Sequence, residues 1–300
     1  MHPLGPLLDP QLLHRVARLA PGARRVTVGG AGGLHRSPLK GASVEFRQRR
    51  AYVAGDEPRR IDWRVLGRTD RVFVKEYDDE TDLHATLVLD ASGSMAYGGA
   101  ATKLDYAARL VAAMGFLLLL GGEAAGLVVA RTDAPPVIPP SAASRQLSRI
   151  IDVLEGLTPA GDTRTGDALR SAAARRGRRS LVIVVSDFLL DPQRLQDGLA
   201  RLAHARHEVV LVRTLHRDEI GFRATGWTSF AGLEGERPLR ADAARLRQTY
   251  LANKRRHDAQ LRALCAATGA ELLETPTDLP LFDAVVTVAR RRGGGGARCS

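Results

Sequence analysis

From Leu83 onward, short apolar runs alternate with longer stretches in which apolar residues recur every three to four positions. The runs predict strands over 84–89, 125–130, 180–186, 208–213 and 270–274. The longer stretches predict helices over 102–120, 141–155, 165–176, 192–204, 241–267 and 278–291. Two runs, "LHATLVL" and "SLVIVVS", are almost wholly apolar, which is the pattern of strands buried on both faces. This order predicts an α/β fold, a doubly wound and mostly parallel sheet with helices on both faces.

The first eighty residues follow another pattern. Residues 9–20, "DPQLLHRVARLA", predict a short amphipathic helix capped by Asp9, with Leu12, Val16 and Leu19 on one face. Gly29–Gly33, "GGAGG", is a flexible break. Residues 41–77 alternate with period two in "VEFRQRRAYV" and "RVFVKEY", as strands do. The expected organisation is therefore a helix and Gly-rich segment over 1–36, a small β-rich extension over 37–81, the α/β domain over 82–291 and a disordered tail over 292–300. Residues 215–240 interrupt the alternation, and 220–240 are expected to pair with the β-rich extension.

Composition narrows the setting. The chain has 300 residues, of which 44% are hydrophobic, enough to bury a sizeable core. Two cysteines, Cys265 and Cys299, give no disulfide framework and suit a reducing, cytoplasmic compartment. The most apolar segment, Leu110 to Leu120, is shorter than the ~20 residues a membrane span needs, and the first residues lack a signal-peptide pattern. Of the net +11 charge, much sits in residues 1–75, which hold 15 Lys or Arg against 6 Asp or Glu. That surface suits an acidic protein, nucleic acid or anionic lipid, or is simply a solvated face. Aromatics are only 5% and are not interleaved with the arginines, so a nucleic-acid stacking platform is not indicated.

Candidate chemistry gathers where the strands end. Asp90, Ser92 and Ser94 follow the first apolar run at spacing two, so their oxygens converge in an extended turn. Asp187 follows "SLVIVVS", and Thr163 lies in a loop just before a predicted helix. Each alone is an ordinary turn or cap residue. Together they offer two carboxylates and three hydroxyls beyond the carboxyl edge of one sheet, where such folds bind ligands. Hard oxygen donors without His or Cys suit Mg²⁺ or Mn²⁺ rather than zinc. With neutral hydroxyls beside it, such a cation stays electron-poor and can take an external carboxylate, which describes docking rather than catalysis.

The set Asp90-x-Ser92-x-Ser94, Thr163 and Asp187 resembles the metal-ion-dependent adhesion site of von Willebrand factor A-type domains. The register of "DTRTGDAL" against that family's Thr-x-x-Gly-x-Ala-Leu selects Thr163 over Thr165, and Asp162 stands where a Gly commonly precedes the Thr. The segment Gly41–Glu80 resembles the bacterial family called domain of unknown function 58. The likeness lies in Glu45-Phe46, Arg50-x-Tyr52, Gly55-Asp56, Arg59-x-Ile61-Asp62-Trp63 and Val74-Lys75-x-Tyr77. With the A-type domain, the resemblance spans residues 37–290. It implies a non-enzymatic adaptor or co-chaperone that works beside a MoxR-type AAA+ ATPase and captures a partner's Asp or Glu through its metal.

Two other readings start from the same residues. A haloacid-dehalogenase-like phosphatase would use Asp90 with the pair Asp187 and Asp191, but Ser92 stands where such enzymes carry a second Asp, and lysine is scarce. A nucleic-acid binder would use the basic first quarter, without a helix-turn-helix or zinc pattern to support it. No phosphate-binding Gly-x-x-x-x-Gly-Lys-Ser/Thr loop and no Gly-x-Ser-x-Gly elbow occur, and His204 with His207 lack further ligands nearby. Asp56, Arg59, Arg60 and Asp62 suit either an internal ion-pair network or a partner-facing patch, and Trp63 suits packing against the sheet.

Overall fold

The computed structural model describes residues 7–20, 45–51, 73–78, 84–99, 101–131, 136–173, 180–233 and 237–291. Contacts divide the chain into Met1–Gly32 with Leu83–Ser300, and a smaller unit, Gly33–Asp82. In the smaller unit β1 (Glu45–Ala51) pairs antiparallel with β2 (Phe73–Asp78), with an irregularity between Phe46 and Gln48. The Gly29–Gly33 break, Trp63, the Asp56, Arg59, Arg60 and Asp62 cluster and the tail 292–300 lie outside the described residues.

The larger unit opens with α1 (Pro10–Ala17), whose first turn is capped by Asp9 Oδ1 accepting from the Gln11 N–H at 2.7 Å. Six strands then form one sheet: β3 (His84–Asp90), β4 (Ala124–Ala130), β5 (Val137–Ser141), β6 (Ser180–Ser186), β7 (Glu208–Arg213) and β10 (Glu271–Glu274). Their spatial order is β10-β7-β6-β3-β4-β5. Every pairing is parallel except that of β4 with β5. The sheet strands taken in chain order thus read 3-2-1-4-5-6 with strand 3 reversed, a doubly wound arrangement.

Successive residues of the central strand feed opposite cores, because side chains alternate across a sheet. Leu87 and Leu89 join Leu12 and Val16 of α1 and the apolar faces of α2 (Lys103–Leu120), α3 (Gln146–Glu155) and α8 (Leu281–Arg291). Val88 joins Val182 and Val184 on the other face, against Leu169 of α4 (Thr165–Ala173), Leu199 of α5 (Gln193–His204) and Leu261 of α7 (Ala243–Thr268). This explains why "LHATLVL" and "SLVIVVS" show no polar alternation. Helix α2 runs between core layers, and truncating one of its buried leucines would cost about 2–5 kcal/mol. Among the described residues, no helix is long and apolar enough to cross a membrane.

One expectation is corrected. Helix 141–155 begins only at Gln146, because Val137–Ser141 forms the antiparallel edge strand β5. Pro139 and Pro140 disguise that strand, yet an edge strand tolerates residues that cannot donate to a ladder. Close approach there also needs a glycine: a Cβ on Gly126 would lie 2.6 Å from the Pro140 nitrogen. Most of the β-rich extension, with which 220–240 are expected to pair, lies outside the described residues. Among the described residues β8 (Trp227–Phe230) and β9 (Leu239–Asp242) form an antiparallel hairpin, after the short helix α6 (Arg217–Gly221). Phe230 of this hairpin stacks on Phe222 at 5.8 Å, which gives it local packing.

Candidate metal-binding site

Strands β3 and β6 are sheet neighbours whose connections leave in opposite directions, so a crevice opens between their carboxyl ends. Asp90 is the last residue of β3 and Ser186 the last of β6. The Asp90 carboxylate is wholly buried, and both of its oxygens accept hydrogen bonds. Its Oδ1 accepts from the Ser92 N–H at 3.0 Å, and its Oδ2 accepts from the hydroxyls of Ser186 at 2.6 Å and Thr165 at 3.2 Å. Burial, reinforced by the nearby charge of Asp187, pushes its pKa up to about 6 against the pull of those hydrogen bonds.

Past Asp90 the chain enters a single 3₁₀ turn, Gly93–Ala96, anchored by the buried Met95. The turn brings the Ser92 and Ser94 hydroxyls to 3.1 Å from each other. Two backbone bonds clamp the following loop to this turn: Ala160 N–H donates to Ala91 O at 3.0 Å, and Gly93 N–H to Gly161 O at 2.8 Å. Gly161, at φ +69°, supplies the left-handed residue that the clamp requires. Thr163 follows two residues later, half-buried. Thr165, at the start of α4, is the threonine that reaches Asp90, a contact not anticipated from sequence.

The second carboxylate brings a cation with it. Asp187 is wholly buried; its Oδ1 accepts from the Leu189 N–H at 3.1 Å, and its Oδ2 receives the Lys103 ammonium at 2.7 Å. Lys103, also wholly buried, simultaneously contacts Glu219 Oε1 of α6 at 2.6 Å. Its backbone N–H donates to Tyr97 O at 2.9 Å, and the Tyr97 ring lies 5.9 Å from the ammonium. Glu219 is held in turn by the His216 N–H, which donates to Oε2 at 2.8 Å. Lys103 was missed in the sequence, although one signal was present. It occupies the first position of α2, directly after the N-cap Thr102, where a cation opposes the helix dipole.

The loop after β6 is set by an unusual residue. Phe188 is buried at φ +51°, a region that non-glycine residues seldom occupy. Its N–H donates to Ser186 Oγ at 2.9 Å, and its carbonyl accepts from His257 Nε2 of α7 at 2.8 Å. These two bonds hold the turn that aims Asp187 at Lys103.

Other candidates fall away from the crevice. Asp191 is exposed and accepts from the Gln193 N–H at 3.0 Å at the start of α5. His207 Nδ1 accepts from the Ser180 N–H at 3.0 Å, and burial holds its pKa below the ordinary value. Among the described residues no group of three or more His, Cys, Asp or Glu is arranged for a metal.

The donor chemistry nevertheless suits a divalent cation. Adjacent ligands of an octahedral Mg²⁺ at 2.0–2.1 Å lie about 2.9 Å apart, close to the 3.1 Å between the Ser92 and Ser94 hydroxyls. Asp187 and Glu219 pair with Lys103, and buried Asp90 lies within electrostatic reach of Asp187, so three carboxylates stand against one lysine, an excess of two negative charges. Isolated buried charge is costly, so such an excess favours a dication.

Residues 48–260 match the family model described as "Protein of unknown function DUF58". "Uncharacterized protein Rv1480" of Mycobacterium tuberculosis (strain ATCC 25618 / H37Rv) is 30% identical, over 97% of this chain and 93% of that protein. "Uncharacterized protein Mb1516" of Mycobacterium bovis shows the same identity and coverage. Among solved structures, the conserved hypothetical protein BatB from Bacteroides thetaiotaomicron is similar with a TM-score of 0.48 at 13% identity, covering 71% of this chain and 98% of its own. The SpRpn10 VWA domain is similar with a TM-score of 0.44 at 16% identity, covering 72% and 100%. The family model spans well over half of the sequence, and the mycobacterial relatives align along almost its whole length: this chain belongs to the DUF58 family.

Proposed function

We propose that this protein is a non-enzymatic interaction module that captures a carboxylate of a partner protein through a bound Mg²⁺ or Mn²⁺. Asp90, Ser92, Ser94, Thr163 and Asp187 would hold the cation. When bound, it supplies an electron-poor centre that takes an oxygen ligand from outside the chain. The observation that carries the reading is the convergence of the Ser92 and Ser94 hydroxyls beside buried Asp90, at the switch point of the sheet. The residues of the chain do the rest: Ser186 and Thr165 orient Asp90, and Lys103 and the Leu189 N–H orient Asp187.

The basic first quarter of the sequence would speed encounter with an acidic partner, an effect that weakens as salt rises. By family resemblance the partner is a MoxR-type AAA+ ATPase, which would supply the ATP hydrolysis, and the compartment is cytoplasmic.

Thermal melting in Mg²⁺ against chelator tests the metal. At about 100 times its dissociation constant, Mg²⁺ should stabilise the native state by about 2.7 kcal/mol. Asp90→Asn should lose that response. It should also melt higher than wild type in chelator at neutral pH, since it removes a carboxylate whose charged form is disfavoured by burial. An undiminished Mg²⁺ response in Asp90→Asn would overturn the site. Partner capture that survives chelation would overturn the docking role.

A further inference from the structure

Lys103 is wholly buried, and it lies between two carboxylates from different elements. Long, charged side chains are seldom buried unless paired, and here the pairing faces the candidate cation site rather than a remote corner of the core. We propose that Lys103 tunes this site: it weakens the hold on the divalent cation while making the bound cation receptive to an external carboxylate. The inference rests on the metal-dependent reading above and adds to it a residue that sets specificity.

Asp90, Asp187 and Glu219 contribute three negative charges and Lys103 one positive. A bound dication brings that total to zero, so an approaching carboxylate meets no net repulsion. Without Lys103 the loaded site would keep one negative charge. The cation would then bind more tightly, while an incoming carboxylate would be repelled. In a water-poor crevice a unit charge a few ångströms away is weakly screened, so both effects should be on the order of tenfold or more in affinity.

Geometry makes the role specific to this residue. The ammonium touches Asp187 Oδ2 and Glu219 Oε1, whereas the Ser92 and Ser94 hydroxyls pair with each other. Lys103 therefore balances the carboxylate side of the crevice without occupying the hydroxyl side. Glu219 reaches it from α6, so neutralising Asp187 also fastens that short helix to the start of α2.

Titration with Mg²⁺ alone, followed by calorimetry and by melting temperature, tests the proposal with three variants of the full chain. Lys103→Met should bind Mg²⁺ about tenfold or more tightly, and Glu219→Gln should bind it more weakly. The double variant Lys103→Met/Glu219→Gln restores the formal charge of the wild-type site and should return Mg²⁺ affinity towards the wild-type value. It also avoids leaving an extra buried carboxylate unpaired, so it remains informative if Lys103→Met fails to fold. With Mg²⁺ saturating, the melting response to added acetate should be smaller in Lys103→Met than in wild type. Equal Mg²⁺ affinity in wild type and all variants, or shifts of one sign in both single variants, would overturn the role of Lys103 and leave the metal reading standing. Failure of Mg²⁺ to bind wild type and variants alike would overturn the metal reading and this inference with it.

Discussion

The Ser186 hydroxyl donates to Asp90 Oδ2 at 2.6 Å and so ties together the carboxyl ends of two adjacent parallel strands. The same oxygen accepts from the Phe188 N–H, which makes Ser186 the joint between the Asp90 turn and the Asp187 turn. Ser186→Ala leaves a buried carboxylate oxygen with one donor fewer and a buried N–H without its acceptor. Stability should fall by about 1–3 kcal/mol, read from the urea midpoint. Mg²⁺ affinity should fall with it, because both turns lose their shared anchor. A variant as stable as wild type would show that water takes over both bonds.

The contact between α4 and α5 predicts the effect of a single methyl group. A Cβ on Gly166 would lie 2.3 Å from the carbonyl oxygen of Arg194, a backbone atom that cannot rotate away. Alanine gains at most about 1 kcal/mol of helix propensity over glycine. Overpacking costs typically about 1–3 kcal/mol, so Gly166→Ala should be net destabilising by urea denaturation. The displaced start of α4 would also draw Thr165 away from Asp90, so loss of stability should accompany weaker Mg²⁺ binding.

Much of the architecture was legible because the central strands are buried on both faces, a condition that "LHATLVL" and "SLVIVVS" state directly. The positions of Asp90 and Asp187 followed, since a carboxylate directly after such a run must stand at the carboxyl edge of the sheet. What stayed hidden depends on tertiary register. Lys103 looks like a solvent-facing residue opening a helix, and only the fold of α6 brings Glu219 to it across more than a hundred residues. Thr163 in the loop and Thr165 at the start of α4 differ by two positions, and which of them meets Asp90 depends on how Gly161 clamps to Gly93. The edge strand β5 was obscured by its prolines, which local propensity reads as a loop.

An ion cluster away from the crevice predicts part of the acid response. Burial alone would raise the pKa of Asp258, but hydrogen bonds from Arg213 and Lys254, together with their charges, hold it below the ordinary value. Arg213 lies 2.7 Å from Asp258 and also contacts Glu274 at 2.8 Å, joining α7 to the end of β10. A carboxyl whose folded pKa is depressed adds stability above its unfolded value of about 3.9, and that stability is lost as pH falls through the lower, folded value. Urea midpoints measured from pH 7 downward should therefore decline below about pH 4. Asp258→Asn should start lower at pH 7 and decline less over that acid range. Parallel curves for the two proteins would show that Asp258 does not contribute to the acid transition.

The last prediction concerns how the long helix α7 supports the site. Phe188 sits at φ +51° with a buried ring, a backbone state that costs an ordinary residue about 1–2 kcal/mol and persists only when its surroundings impose it. His257 supplies part of that constraint, because its Nε2–H donates to Phe188 O at 2.8 Å from the middle of α7. The turn it holds contains the Leu189 N–H that donates to Asp187 Oδ1. His257→Ala deletes one hydrogen bond and should cost only about 1 kcal/mol of global stability. Its local effect should be larger: the turn can relax towards ordinary backbone angles and carry Asp187 away from Lys103. Native-state amide exchange separates these effects, since local opening is read residue by residue. Exchange should quicken at Phe188 and Leu189 well beyond the global change, while the amides within β6 and β3 stay close to wild type. His257→Gln, whose amide N–H₂ can donate to the same carbonyl, should restore part of the protection. If Phe188 and Leu189 exchange no faster in His257→Ala than the global stability requires, the buried ring and the Ser186 bond hold the turn and the His257 bond from α7 has no part in positioning Asp187.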